Sequence, residues 1–174
     1  MDVEKTFPES APHEYVWGYG LSDRPVVLIG EAPGKDEVLQ GRPFVGKAGG
    51  ILRDFLGSIA LPAESLFITN AIKYRLAKPG AKPSSLVNRP AKRKEILFSS
   101  LYIKQELDII KPKVVVTLGN VPLKTVLLCM EKPNCPCGCR MSFSSLPEVG
   151  MLHGIPVENA LGTEDSILFP MYHP

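Results

Sequence analysis

Two carboxylates, Glu31 and Glu37, lie in one glycine-rich stretch that runs from Val26 to Leu56, VVLIGEAPGKDEVLQGRPFVGKAGGILRDFL. A carboxylate pair on one loop can serve as general acid and general base, as in glycoside hydrolysis. The same stretch carries the aromatic Phe44, with Gly46, Gly49 and Gly50 behind it to permit tight turning. Two further polar side chains fall at the ends of apolar runs: Asn70, after Leu66-Phe67-Ile68-Thr69, and His173, after Ile167-Leu168-Phe169-Pro170. A side-chain amide offers a donor and an acceptor together, and an imidazole is a third polar group of this kind. Each position also has a plainer reading. Asparagine tolerates a turn at a strand end, and a histidine this near a terminus can be a frayed residue without a role.

The elements that would position these residues follow from the apolar pattern. Val26–Ile29 is short, apolar and β-branched, which predicts a buried strand. A helix is expected over 47–59, where Ile51, Leu52, Phe55 and Leu56 recur at helical spacing, and a second strand ends at Asn70. A helix over 92–110 is stopped by Pro112. A third strand at Val114–Leu118 leads through Gly119-Asn120 into a helix over 121–130. Gly154–Val157 and Ile167–Pro170 follow, the second as the last sheet strand. Alternating strands and helices imply an α/β fold with a parallel sheet covered on both faces, and loops at the carboxyl ends of such strands are where sites form.

Composition bounds the reading. The 174 residues predict one domain, with residues 1–24 as a polar arm pinned by Tyr15 and Trp17. His13 in that arm has no visible partner and reads as solvent-exposed. At 44% hydrophobic and 22% charged, with net charge +2, the chain has an ordinary globular balance. No apolar run is long enough to span a bilayer, and the first residues lack the regions of a signal peptide, so a cytoplasmic protein and a monomer are expected. The charge is uneven, however. Lys73, Arg75, Lys78, Lys82, Arg89, Lys92, Arg93 and Lys94 follow one another with no Asp or Glu between them. The prolines and serines of KPGAKPSSLVNRP make this a loop, and a basic loop beside a site loop suits a phosphate backbone. A solvated surface loop is the alternative. Four cysteines, Cys129, Cys135, Cys137 and Cys139, crowd into an insert over 129–150. Thiolates this dense can bind zinc; the spacing is tighter than paired CxxC knuckles and equally suits a reduced loop.

The segment GEAPGKDEVLQGRPFVGKAGGIL resembles the first signature of uracil-DNA glycosylases of the family 4 kind. FITNAIKYR, NRP, IKPKVVVTLG and FPMYHP agree with that family in type and order, so the resemblance runs from about Tyr15 to Pro174. It implies a three-layer α/β/α sandwich around a four-stranded parallel sheet. It also implies hydrolysis of the N-glycosidic bond of uracil in DNA, for base excision repair, after the base is flipped into a pocket. Phe44 would stack on the flipped ring and Asn70 would read the uracil edge. Gly30, Glu31 and Ala32 belong to the loop whose backbone N–H groups approach the base. Glu37 would line the pocket, excluding the thymine methyl or orienting water, and His173 would donate to uracil O2. The catalytic set is then Glu31, Glu37 and His173, with Lys73, Arg75, Asn88 and Arg89 along the DNA.

The sequence departs from that family in three places. Family 4 members hold a [4Fe–4S] cluster on four cysteines. Here the arm has none, and Tyr74 and Ser99 or Ser100 stand at the other two positions, so the cluster is not expected. The CPCGC insert is foreign to the pattern. The chain stops at Pro174, where the family continues into a duplex-wedging loop and a closing helix, as a piece of a longer protein or a shortened relative would. Two other functions are compatible with the residues: a non-catalytic uracil- or DNA-binding domain on the same fold, as part of a larger DNA-processing protein, and a nucleotide or nucleoside hydrolase. The last is disfavoured because GEAPG lacks the Lys-Ser/Thr of a phosphate-cradling loop.

Overall fold

The computed structural model describes residues 14–82, 85–130, 143–159 and 165–174. Strands β1 (Val26–Gly30), β2 (Phe67–Asn70), β5 (Val114–Leu118) and β7 (Ile167–Met171) are parallel, and the short β6 (Val157–Glu158) adds antiparallel to β7. The order across the sheet is β2-β1-β5-β7-β6. The expected four parallel strands are thus present, with a fifth, two-residue strand covering one edge. Their parallel direction brings the residues after Gly30, Asn70, Leu118 and Met171 to one end of the sheet.

Because β1 is covered on both faces, its apolar run is continuous and its side chains alternate between two cores. Val27 and Ile29 pack with Val115 and Leu168 against Ile103, Leu107 and Ile110 of α3 (Arg93–Ile110) and Leu123 and Val126 of α4 (Asn120–Met130). Leu28 faces the other way, with Ile68 and Leu118, against Leu52 and Leu56 of α2 (Lys47–Ser58). A further short helix, α5 (Val149–Leu152), precedes β6. Among the described residues, no helix is long and apolar enough to cross a membrane.

Three local expectations are corrected. The polar stretch after β1 contains a six-residue helix, α1 (Lys35–Gln40). It has no buried residue, so it leaves no apolar period to read. Its ends hold it instead: Glu37 reaches back to the Gly34 N–H, and Gly41 closes it with φ 64°. The basic segment is likewise not a plain loop. Ala77–Pro79 (β3) pairs antiparallel with Leu86–Asn88 (β4) as a two-stranded ribbon, three residues a side and too short to show an alternation. Finally, Trp17 does not pin the arm. It is 57% exposed and stacks on Tyr15, while Val16 is 1% exposed and is the true anchor. The arm runs along β2 through Tyr19 N–H to Ile68 O and back, both 2.8 Å, and Val16 N–H to Lys73 O, 2.7 Å. His13 lies outside the described residues.

Candidate active site

The turn leaving β1 is stitched to the turn leaving β2. Ala71 N–H donates to Gly30 O at 2.8 Å, and Ile72 N–H to Glu31 O at 2.9 Å. Above this seam opens a cleft of about 310 Å³, lined by Glu31, Ala32, Glu37, Phe44, Asn70, Asn88 and His173. Sequence positions from 31 to 173 therefore converge on one end of the sheet.

Gly30 sets the floor. A Cβ there would fall 2.5 Å from Asn70 Oδ1 and 2.5 Å from Phe44 Cζ, so the missing side chain is what lets amide and ring close in together. Asn70 is 3% exposed, and its side-chain amide makes no hydrogen bond to any described residue. Its donor and acceptor remain for a ligand. Phe44 is 8% exposed and sits at φ 56°, a left-handed conformation unfavourable for a bulky residue and seen where the surroundings impose it. Two residues impose it here, Arg53, which sequence reasoning passed over, and Gly49, which it read only as permitting a tight turn. Arg53 Nη1 donates to Phe44 O at 2.6 Å. Gly49 makes room for that carbonyl, which would lie 1.8 Å from any Cβ at position 49. Only the glycine, within KAGG, left a trace in the sequence.

The two carboxylates have different duties. Glu37 accepts Gly34 N–H on Oε2 at 3.0 Å and Gly46 N–H on Oε1 at 2.7 Å. It thereby clamps the start of α1 to the start of α2, with both oxygens engaged. Among the described residues Glu31 has no such partners. Burial pushes its carboxyl above the usual range, and the neighbouring His173 opposes that rise. His173 follows β7 beside Gly119, whose φ of 100° and N–H bond to Met171 O at 2.8 Å turn the chain there. Its Nδ1 lies 2.9 Å from Pro174 O. A carbonyl only accepts, so Nδ1 carries the hydrogen and Nε2 is the nitrogen left for a ligand.

The basic segment divides. Lys73, expected along DNA, is 5% exposed and buried under the cleft, with its ammonium bound to Glu106 Oε2 at 2.7 Å; it cannot reach a phosphate. Arg89 is also turned inward. Its two terminal nitrogens hold Glu95 at 2.8 and 2.7 Å, and Glu95 is 1% exposed. In both cases an acidic partner on α3, beyond the basic run, draws the cation in. Arg75 donates to Asn88 Oδ1 from Nε at 3.3 Å and Nη2 at 3.2 Å, which holds Asn88 at the rim of the cleft. Lys78, Lys82, Lys92, Arg93 and Lys94 are exposed.

An iron–sulfur cluster requires thiolates, and Tyr74 and Ser99 do not fit one. The Tyr74 hydroxyl donates to Glu95 Oε1 at 2.9 Å, its pKa raised by burial, and its ring packs with Ile72, Leu76 and Phe98. Ser99 is buried as well. Of the four cysteines, Cys135, Cys137 and Cys139 lie outside the described residues. Cys129 donates its thiol to Ser100 O and Thr125 O, both at 3.0 Å, and burial pushes its pKa up to about 12. Among the described residues, no cluster of three His, Cys, Asp or Glu side chains is arranged to hold a metal ion.

Comparison with known proteins identifies a family. The sequence model of the uracil DNA glycosylase superfamily matches residues 17–174. The chain is 34% identical over 158 residues to a type-4 uracil-DNA glycosylase of Sulfurisphaera tokodaii, covering 90% of this chain and 62% of that protein. It is 41% identical over 120 residues to one of Archaeoglobus fulgidus, covering 69% and 56%. A third, from Saccharolobus solfataricus, is 32% identical over 159 residues, covering 90% and 63%. The chain therefore spans less than two thirds of the length of each of these relatives.

Proposed function

The chain belongs to the uracil DNA glycosylase superfamily, and on that premise we propose that it hydrolyses the N-glycosidic bond of uracil in DNA. The observation that carries the reading is the meeting over Gly30 of Phe44 and the Asn70 amide, which has no partner among the described residues, with Glu31 and His173 on the same cleft.

Uracil inside a duplex is out of reach, so the nucleotide must be extruded. The flipped ring stacks on Phe44. The Asn70 amide then donates to uracil O4 and accepts from N3–H. Cytosine presents the opposite pattern at both atoms and leaves each group of a nearly buried amide facing its own kind. Bond breaking proceeds by dissociation: the pair of electrons of the bond between N1 and the sugar C1′ leaves with the base, negative charge gathers on uracil N1 and spreads to O2 and O4, and a water molecule then adds to C1′ and loses a proton to leave the abasic site. His173 meets that charge through Nε2 while Nδ1–H stays on Pro174 O, which makes the imidazolium the donating form. Glu31 lies beside His173, and its carboxylate form steadies that cation and the developing positive charge on the sugar. With both oxygens committed to backbone amides, Glu37 acts by holding the loop between α1 and α2 against the base. Lys78, on the ribbon that carries Asn88, and the other exposed cations of the basic segment supply contacts to the phosphate backbone, which position rather than select.

The test is an oligonucleotide carrying one uracil, incubated with purified protein and then cleaved with alkali. Strand scission at the uracil is expected; its absence under saturating protein would leave a binding domain. That second reading is favoured by one observation, the engagement of Glu37 with backbone amides, which removes one of the two carboxylates from proton transfer. Salt-dependent binding to uracil-containing DNA without product would be its signature.

A further inference from the structure

On the reading that Asn70 selects uracil, we propose that Lys73 is the positioning residue that fixes Asn70 for that task, acting from beneath the cleft and not as a DNA contact. An ammonium has three N–H donors, and each has an acceptor here. Lys73 Nζ lies 2.7 Å from Thr69 Oγ1, 2.9 Å from Asn70 O and 2.7 Å from Glu106 Oε2. Thr69 is fully buried and also donates to Glu106 Oε2 at 3.3 Å. The set ties the end of β2 to α3.

The bond to Asn70 O has a specific consequence. The peptide unit joining Asn70 to Ala71 carries two polar atoms, that oxygen and the Ala71 N–H. The N–H is held by Gly30 O at 2.8 Å and the oxygen by Lys73. Fixing both stops the unit from rotating and so sets ψ of Asn70. The Asn70 side-chain amide has no protein partner of its own among the described residues, so its aim depends on its backbone. An amide that must discriminate by donor and acceptor pattern needs an orientation that is fixed before the base arrives. Burial lowers the pKa of Lys73 and the Glu106 carboxylate counters it, which keeps the charge-assisted bonds in place.

The experiment compares Lys73→Met with Lys73→Met/Glu106→Leu. The single variant strands Glu106; the double replaces the pair by apolar groups and preserves the fold. Both are read by uracil excision, by affinity for uracil-free DNA, and by the Asn70 side-chain NH2 resonances in a 15N spectrum. The expected result is a loss of roughly tenfold in kcat/KM in both variants, the effect of one such bond, with moved Asn70 resonances and unchanged affinity for uracil-free DNA. In an Asn70→Ala background, Lys73→Met adds no further loss, because the two act as one unit. Wild-type excision with unmoved Asn70 resonances in the double variant would overturn the proposal, as would unmoved resonances with a selective fall in DNA affinity. If the wild-type protein excises no uracil, the catalytic reading falls separately. The resonances still decide the positioning role: moved upholds it, unmoved overturns it.

Discussion

Asn70 and Phe44 meet over the bare Cα of Gly30, each within 2.5 Å of where a side chain at that position would begin. One residue from the end of β2 and one from the loop before α2 are thus made neighbours by the last residue of β1. A base-sized ligand can be stacked and read at its edge in the same place only because position 30 is empty. Gly30→Ala is therefore expected to keep the fold with a loss of about 1–3 kcal/mol from overpacking. Excision should fall on the order of a hundredfold or more, as the amide and the ring are pushed apart. Steady-state kinetics beside a urea melt separates the two effects.

Phe44 holds its left-handed backbone because Arg53 grips its carbonyl. Arg53→Met keeps much of the side-chain bulk and removes the donor. It should lower stability by about 1–2 kcal/mol and weaken uracil binding while leaving Asn70-based discrimination against cytosine intact. The ratio of kcat/KM for the two bases in single-base oligonucleotides reports this.

Glu31 gives a pH signature. Its pKa is raised in the folded protein by burial, with His173 opposing. The folded state thus favours the protonated carboxyl. The contribution is fully present below the unfolded value, about pH 4.3, and is lost as pH rises through the higher folded value. Glu31→Gln carries no such loss. The Tm of the variant should gain on that of the wild type as pH rises from about 4 through the higher folded value, and the gain should be larger in a His173→Ala background, where the opposing charge is gone.

Much of this was legible beforehand, and the failures have physical causes. Strands β1, β5 and β7 were readable because burial on both faces leaves unbroken apolar runs, and Asn70 and His173 because they interrupt such runs at their ends. Helix α1 is held by caps and buries nothing, so no period betrayed it. Lys73 and Arg89 read as DNA contacts because their acidic partners lie further along the chain, Glu106 at a separation of 33 residues and Glu95 at six. A local charge run cannot show which of its members a distant helix will draw inside. The roles of Arg53 and Gly49 depend on where one carbonyl points; Gly49 showed in the sequence as a turning glycine, and Arg53 left no signal.

The buried network around Glu95 yields a graded prediction. Tyr74, Arg89 and the Lys92 N–H all donate to it. Tyr74→Phe removes one of several donors and should cost about 1 kcal/mol. Glu95→Leu strands Arg89 and Tyr74 and should cost about 3–5 kcal/mol. Urea titration followed by circular dichroism measures both. Equal losses would mean that the carboxylate does not organise this region.

The central claim is that the cleft at the carboxyl ends of the sheet excises uracil, with Asn70 reading the base. The most direct measurement places wild-type protein and Asn70→Asp on matched oligonucleotides, one with a single uracil and one with a single cytosine at the same position, followed by alkali. The account predicts scission at uracil by the wild type and new scission at cytosine by Asn70→Asp, since a protonated carboxyl can donate where cytosine accepts. An intact uracil strand with the wild type at saturating protein would contradict it.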